Sequence, residues 1–233
     1  EASLEDNISA GLNFSGSTIR LSGPNGAVSG AQRRLGESVR WTLGVPLTID
    51  GSDDGVYTIS VQPLDLAGNA GGESQIPFIY DTQVPELVSL TSETGVQLNA
   101  PAGAKTFLNS SLSLVTAAFN DENGSGIDFS TTRIEMIKVA SVDGEDLSIG
   151  GMTTTNADNN TLEFRLTNPI SIRDGSQDGI YRVQVTFVDK AGNAETENFD
   201  LMYNPQVAAI ISTSPSADAT VSALSQVSVV LND

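Results

Sequence analysis

Neither cysteine nor histidine occurs anywhere in the 233 residues. Without cysteine there is no disulfide and no thiol nucleophile. Without histidine the commonest general base and the commonest transition-metal ligand are missing as well. The lack of cysteine does not fix the compartment, because an extracellular domain can rest on its core alone. No Gly-x-Ser-x-Gly elbow is present. Carboxylate pairs such as Asp53-Asp54 and Glu145-Asp146 sit in glycine-rich turns, where acidic residues are ordinary turn formers. A hydrolase working with two carboxylates needs them across one cleft. The expectation is no enzyme and no catalytic residues.

Positive charge is equally scarce. Lysine occurs only at Lys105, Lys138 and Lys190, and 11 basic against 29 acidic residues leave a net charge of −18. Such a surface repels nucleic-acid phosphates and anionic headgroups, so neither nucleic acid nor membrane insertion is expected. Aromatic residues make up 6 %, with Trp41 the one tryptophan, so the cores should be thin and built of Val, Ile, Leu and Ala. No run approaches the ~18 apolar residues of a membrane-spanning helix. The chain starts at Glu1 without a signal-peptide pattern and reads as a fragment whose targeting signals, if any, lie outside it.

What is abundant is turns. Twenty-two glycines and five Asp-Gly dipeptides (50–51, 54–55, 143–144, 174–175 and 178–179) punctuate short alternating stretches, the pattern of an all-β chain. In residues 178–193, Tyr181, Val183, Val185 and Phe187 alternate with Arg182, Gln184 and Thr186, which predicts a strand buried on one face. The same stretch occurs at 54–69, offset by 124 residues without a gap. Both copies share Asp-Gly, a Tyr two residues later and a closing Asp-x-Ala-Gly-Asn. Self-similarity at about 120 residues means repeats of domain size.

Other segments recur in register. Residues 6–19 match 121–134 at an offset of 115, residues 38–47 match 161–170 at 123, and residues 76–81 match 199–204 at 123. Each pair predicts a strand. Trp41 and Phe164 fall at equivalent places and are expected in the core of both copies. The step in offset puts extra residues around 141–160, read as a variable loop. Residues 229–233 match 117–121 at an offset of 112. The predicted organisation is 1–85, a repeat lacking its opening strands; 86–205, a complete repeat; and 206–233, the opening strands of a third. Segments 81–85 and 204–208 are linkers too short for free tumbling, so neighbouring repeats of the same polypeptide are expected partners, placed end to end. Repeat 1 lacks the strands that 206–233 carries unpartnered, so self-association by strand donation is a second expectation.

The motif Asp-Gly-x-Tyr-x-Val-x-Val-x-x-x-Asp-x-Ala-Gly-Asn, followed by a strand ending Tyr-Asp-Thr-x-x-Pro, resembles the tandem bacterial immunoglobulin-like (Big-type) domains of large surface and secreted proteins. The resemblance covers essentially the whole chain. It implies immunoglobulin-like β-sandwiches in tandem, with fibronectin type III and cadherin-like sandwiches as alternatives. It places Tyr57 and Tyr181 at the tyrosine corner, ring in the core and hydroxyl bonded to backbone upstream. It further implies an extracellular or cell-surface, non-catalytic spacer, part of an adhesin-like stalk. The alternatives are a module binding a glycan or protein, or accessory domains of a secreted enzyme.

Two acidic features bear on cations. Asp121-Glu122-Asn123-Gly124-Ser125-Gly126-Ile127-Asp128 spaces oxygen side chains like the start of a calcium loop, with Asp121, Asn123 and Asp128 as ligands. Thr132 stands where such a loop carries its bidentate Glu. The earlier copy keeps Asp6 and Gly11 but has Ile8, Ala10 and Asn13. The expectation is no metal site and no cofactor, with calcium in repeat 2 left open. Asp65 and Asp189, at the head of each Asp-x-Ala-Gly-Asn, are expected to accept backbone N–H bonds within the turn. The sequence assigns no ligand-binding residues.

Overall fold

The computed structural model describes residues 2–3, 11–101, 103–122, 124–140 and 144–232. Asp6, Ile8 and Ala10 of the first loop copy, and Asn123 of the second, lie outside them. The described residues contain no α-helix, and hence none long and apolar enough to cross a membrane.

The strands of repeat 1 are β1 (Ala2–Ser3), β2 (Thr18–Gly23), β3 (Gly26–Ala27), β4 (Gly30–Leu35), β5 (Ser38–Leu43), β6 (Gly55–Gln62) and β7 (Ser74–Tyr80). Those of repeat 2 are β8 (Glu86–Ser92), β9 (Lys105–Leu108), β10 (Leu112–Asn120), β11 (Arg133–Lys138), β12 (Leu147–Ser148), β13 (Gly151–Asn156), β14 (Thr161–Ile170), β15 (Gly179–Val188) and β16 (Ala194–Tyr203). A 3₁₀ turn, Ala157–Asn159, precedes β14, and β17 (Ala209–Ser214) and β18 (Ser228–Asn232) follow.

The chain divides into two compact units. One comprises Glu1–Glu86, Phe119–Thr132 and Phe187–Glu195, the other Leu87–Ala118, Arg133–Thr186 and Thr196–Asp233. Repeat 1 has sheets in the orders β1-β5-β4 and β3-β2-β6-β7. Repeat 2 has β13-β14-β10-β8 and β12-β11-β15-β16-β9, the last pair parallel. Two sheets with apolar inner faces make an immunoglobulin-like β-sandwich. In the first unit Phe14, Ile19, Val39 and Val61 form a buried cluster, with Leu12, Trp41 and Ile59 packed against it. In the second, Val115, Leu162, Val183, Val185 and Leu201 are fully buried.

The tyrosine corner stands in both copies. Tyr57 is buried and its hydroxyl donates to the Asp53 carbonyl at 2.8 Å. Tyr181 does the same to Gln177 at 2.7 Å.

Two expectations need correcting. Residues 141–160 are not simply a loop: they hold β12 and β13, and β13 pairs along its whole length with β14. Every residue of β13 is exposed, so Met-Thr-Thr-Thr-Asn shows no period-two apolar signal although it is extended. Trp41 is only half-buried, and its indole N–H is enclosed without a partner, whereas Phe164 is buried. The two aromatics otherwise sit alike. Gly30, paired with Leu43, and Gly151, paired with Leu166, each leave room for the neighbouring ring. An aromatic lying over a strand glycine covers backbone that would otherwise be bare.

Candidate functional site

Three chain segments of the first unit meet at one place, and each delivers an aspartate because a strand ends there. Asp81 follows β7, Asp121 follows β10 and Asp189 follows β15. One carboxylate oxygen from each lies within 4.8 Å of the others.

Asp81 is 8 % exposed. Its Oδ1 accepts from the Gln83 amide at 3.2 Å and its Oδ2 from the Ser125 amide at 2.6 Å. The segment after it is held from the other side, since Asp54 accepts from the amide and hydroxyl of Thr82. Asp189 is 1 % exposed. Its Oδ1 accepts from the amides of Gly192 (2.7 Å) and Asn193 (2.9 Å), and its Oδ2 from Asn193 Nδ2 (2.7 Å). Gly192 has φ +97°, which is why glycine stands in this tight turn. Asn193 Nδ2 also donates to the Asp81 carbonyl at 3.2 Å, so the turn and the linker share one amide. Asp121 Oδ2 accepts from the Gly126 amide at 2.5 Å. The loop is further tied to the turn by Ala191 N–H to Ser125 Oγ at 3.0 Å and Lys190 N–H to the Gly126 carbonyl at 2.9 Å.

The expected turn role of Asp65 and Asp189 therefore holds in the geometry. Asp65 accepts from Asn69 N and Nδ2, both at 2.7 Å, and those bonds hold its carboxyl below the usual range. The two copies differ in burial, because Asp65 is half-buried and Asp189 fully buried. Of the expected calcium ligands, Asn123 lies outside the described residues, and Asp128 is not brought to Asp121. Asp128 turns back to accept from the amide and hydroxyl of Ser130 and the hydroxyl of Thr131. Its place beside Asp121 is taken by Asp81 and Asp189. Asp81 escaped the sequence reading because it sat in a linker. Its signal was there in Tyr-Asp-Thr-x-x-Pro, which puts a carboxylate one residue past a strand end.

Chemically the trio offers what a hard divalent cation takes, carboxylate oxygens at close range. It also offers N–H acceptors, and the bonds above use it so. At the corresponding place after β16 stands Asn204, a neutral amide, whose Oδ1 accepts from the Gln206 amide at 3.1 Å as Asp81 does from Gln83. The backbone role is thus kept without the charge. Burial, with Asp81 and Asp189 alongside, pushes the Asp121 carboxyl above its ordinary value against the pull of Gly126 N–H and Lys190. A carboxyl raised by folding gives stability that is full below its unfolded value and lost as pH rises through the folded one. Asp121 ionised therefore opposes folding at neutral pH. Asp121→Asn, which keeps an oxygen for Gly126, is expected to raise stability at pH 7 by about 1 kcal/mol and to give no gain near pH 3. Thermal scans at both pH values check this, and a loss at pH 7 would sink it. Repeating the scans in calcium and in chelator separates the two roles of the trio: a cation site requires wild-type Tm to rise in calcium and the Asp121→Asn protein not to respond.

No protein-family model matches the chain, and no curated protein matches it. Solved structures give low-identity likenesses. The copper resistance protein PcoC from Escherichia coli aligns at 13 % identity and TM-score 0.38 over 52 % of this chain and all of its own. A tetra-tandem repeat from the extending region of a large adhesion protein aligns at 16 % and 0.34, over 87 % of this chain and 44 % of its own. Fibronectin(III)-like modules of Clostridium thermocellum CbhA align at 14 % and 0.33, over 87 % and 82 %. At TM-scores this low, nothing those proteins bind or do is carried over to this chain.

Proposed function

We propose that the chain is a non-catalytic structural segment of a bacterial cell-surface or secreted protein, built of Big-type immunoglobulin-like repeats as in an adhesin stalk. The observation that carries it is the joint at Asp81. The linker after β7 is not free chain. Its carboxylate is buried, it receives the Ser125 amide, and its carbonyl receives the side chain of Asn193 from the Asp-x-Ala-Gly-Asn turn. A spacer that passes force between repeats needs such a fastening, whereas an enzyme would need a cleft with a nucleophile or a paired acid and base. The reading takes no cofactor, and its partners are the neighbouring repeats. An extracellular or cell-envelope location follows from the proposal itself, since a stalk has its use outside the cell.

Limited proteolysis tests the joint, because cleavage requires several residues of backbone to leave their hydrogen bonds. Residues 81–86 should resist cleavage in the wild type and be cut about 10-fold faster in Asp81→Ala, which frees the Ser125 amide. A wild-type linker cut as fast as an unfolded peptide would remove the support for a fastened spacer.

A further inference from the structure

The two sheets of repeat 2 have four edges, and three of them are guarded. The outer side of β8 is occupied: its Leu90 carbonyl accepts the Leu98 amide at 2.7 Å, and its Leu90 amide donates to Asn99 Oδ1 at 3.4 Å. β12 is two residues long, and β9 is four residues long with Lys105 at its head. Short strands and edge charges are the usual protection against strand addition. β13 has neither. It ends its sheet with six residues, Gly-Met-Thr-Thr-Thr-Asn, all exposed, and pairs with β14 alone among the described residues. It holds no proline and no register shift. No charged residue occurs from 147 to 157, although the chain carries −18. At the equivalent edge of repeat 1, β4 places the exposed Arg33 and Arg34 where β13 has Thr154 and Thr155.

The pairing with β14 decides which backbone groups point outward. The Thr167 amide donates to the Gly150 carbonyl at 2.9 Å, and the register sets these two residues opposite each other, next to Gly151 and Leu166. Bonding alternates along an antiparallel pair. Met152, Thr154 and Asn156 therefore bond toward β14, while the N–H and C=O of Gly151, Thr153 and Thr155 point away from it. These three also share the inner face of the sheet, because they oppose the buried Leu166, Phe164 and Leu162.

We propose that β13 pairs antiparallel with β13 of a second copy of this chain, about a two-fold axis through Thr153. An axis normal to the sheet sets each residue opposite one on the same face. Thr153 then opposes Thr153 of the second copy, and Gly151 and Thr155 oppose its Thr155 and Gly151. Each of these opposed pairs exchanges two N–H···O bonds, so every outward backbone group of the strand finds a partner. An axis through Thr154 would leave Gly151 beyond the end of the second strand. The central contact is Thr on Thr, a favourable cross-strand pair. Charge also selects a second copy. Two chains of −18 repel, and an uncharged edge lets them meet without setting like charges opposite each other. Association therefore strengthens as salt rises, the reverse of a contact built on ion pairs.

Because the chain has no cysteine, a single one forms a disulfide only between copies. Thr153→Cys puts the thiols on directly opposed residues, about 5.5 Å apart at Cα and within disulfide reach. Thr155→Cys, likewise exposed, puts them about 13 Å apart along the strands. On oxidation of the full-length protein, Thr153→Cys should give linked dimers about 10-fold faster than Thr155→Cys, since only the first pair is held in reach. In sedimentation of the unmodified chain at high salt, mass should rise toward two chains as concentration approaches about 1 mM, and stop there because a two-fold contact closes. Thr153→Lys sets two like charges on the axis and should weaken association about 10-fold or more. Its thermal melt should match the wild type, because Thr153 is exposed in the single chain. A mass of one chain at every concentration, linkage through Thr153→Cys no faster than through Thr155→Cys, or association unchanged by Thr153→Lys each overturns the proposal.

Discussion

Phe164→Ala is expected to cost about 3–5 kcal/mol, and Trp41→Ala at the equivalent place in repeat 1 only about 1–2 kcal/mol. The asymmetry comes from cover. Phe164 is 6 % exposed, opposite Val115 of β10 and stacked over Gly151 of β13, so its removal leaves a cavity in a packed core. Trp41 lies over Gly30 in the same way but faces a cleft of about 250 Å³ between the sheets of repeat 1, so most of the space it vacates is already solvent. Truncation there loses partial burial and also releases an indole N–H that has no partner. Chemical denaturation followed by circular dichroism checks both. Equal losses would mean the cleft is closed in solution.

How far the sequence disclosed this depended on where each strand faces. β15 fell where alternation placed it, because one face is buried and the period of two is written in Tyr181, Val183 and Val185. The tyrosine corner was legible for the same reason: Asp-Gly sets the turn and the Tyr two residues later turns inward. β4 and β13 were not legible, since an edge strand with both faces wet is under no pressure to alternate. The candidate site was half-legible. Asp65 and Asp189 announced themselves by recurring at the head of one turn motif. Asp121 stood out by its loop spacing, but spacing along a chain does not determine which oxygens meet in space. Asp128 satisfied itself locally with Ser130, and the third carboxylate came from Asp81, a residue distant in sequence and ordinary in composition. Strand ends converge at the tip of a sandwich by topology, which no local pattern records.

Asp189→Ala is expected to destabilise by about 2–4 kcal/mol, and Asp189→Asn by less than about 1 kcal/mol. Asp189 is 1 % exposed and accepts three N–H bonds, two of them from backbone amides inside a turn whose Gly192 sits at φ +97°. Alanine leaves those donors without a partner in a place water does not reach, at about 1–3 kcal/mol for each buried group left unpaired. Asparagine keeps one oxygen for Gly192 and Asn193 and removes a charge from a cluster where Asp81 and Asp121 stand within 4.8 Å. What it loses is one side-chain bond, and the relief of like-charge crowding offsets that loss. The comparison therefore separates two reasons for an aspartate. If hydrogen bonding fastens the joint, the asparagine variant melts close to the wild type and keeps linker 81–86 resistant to protease, while alanine loses both. If asparagine is as damaging as alanine, with calcium present, the carboxylate charge itself is required. The trio would then be a cation site first and a hydrogen-bonded joint second, and Asp81 and Asp121 would have to show the same intolerance of the amide.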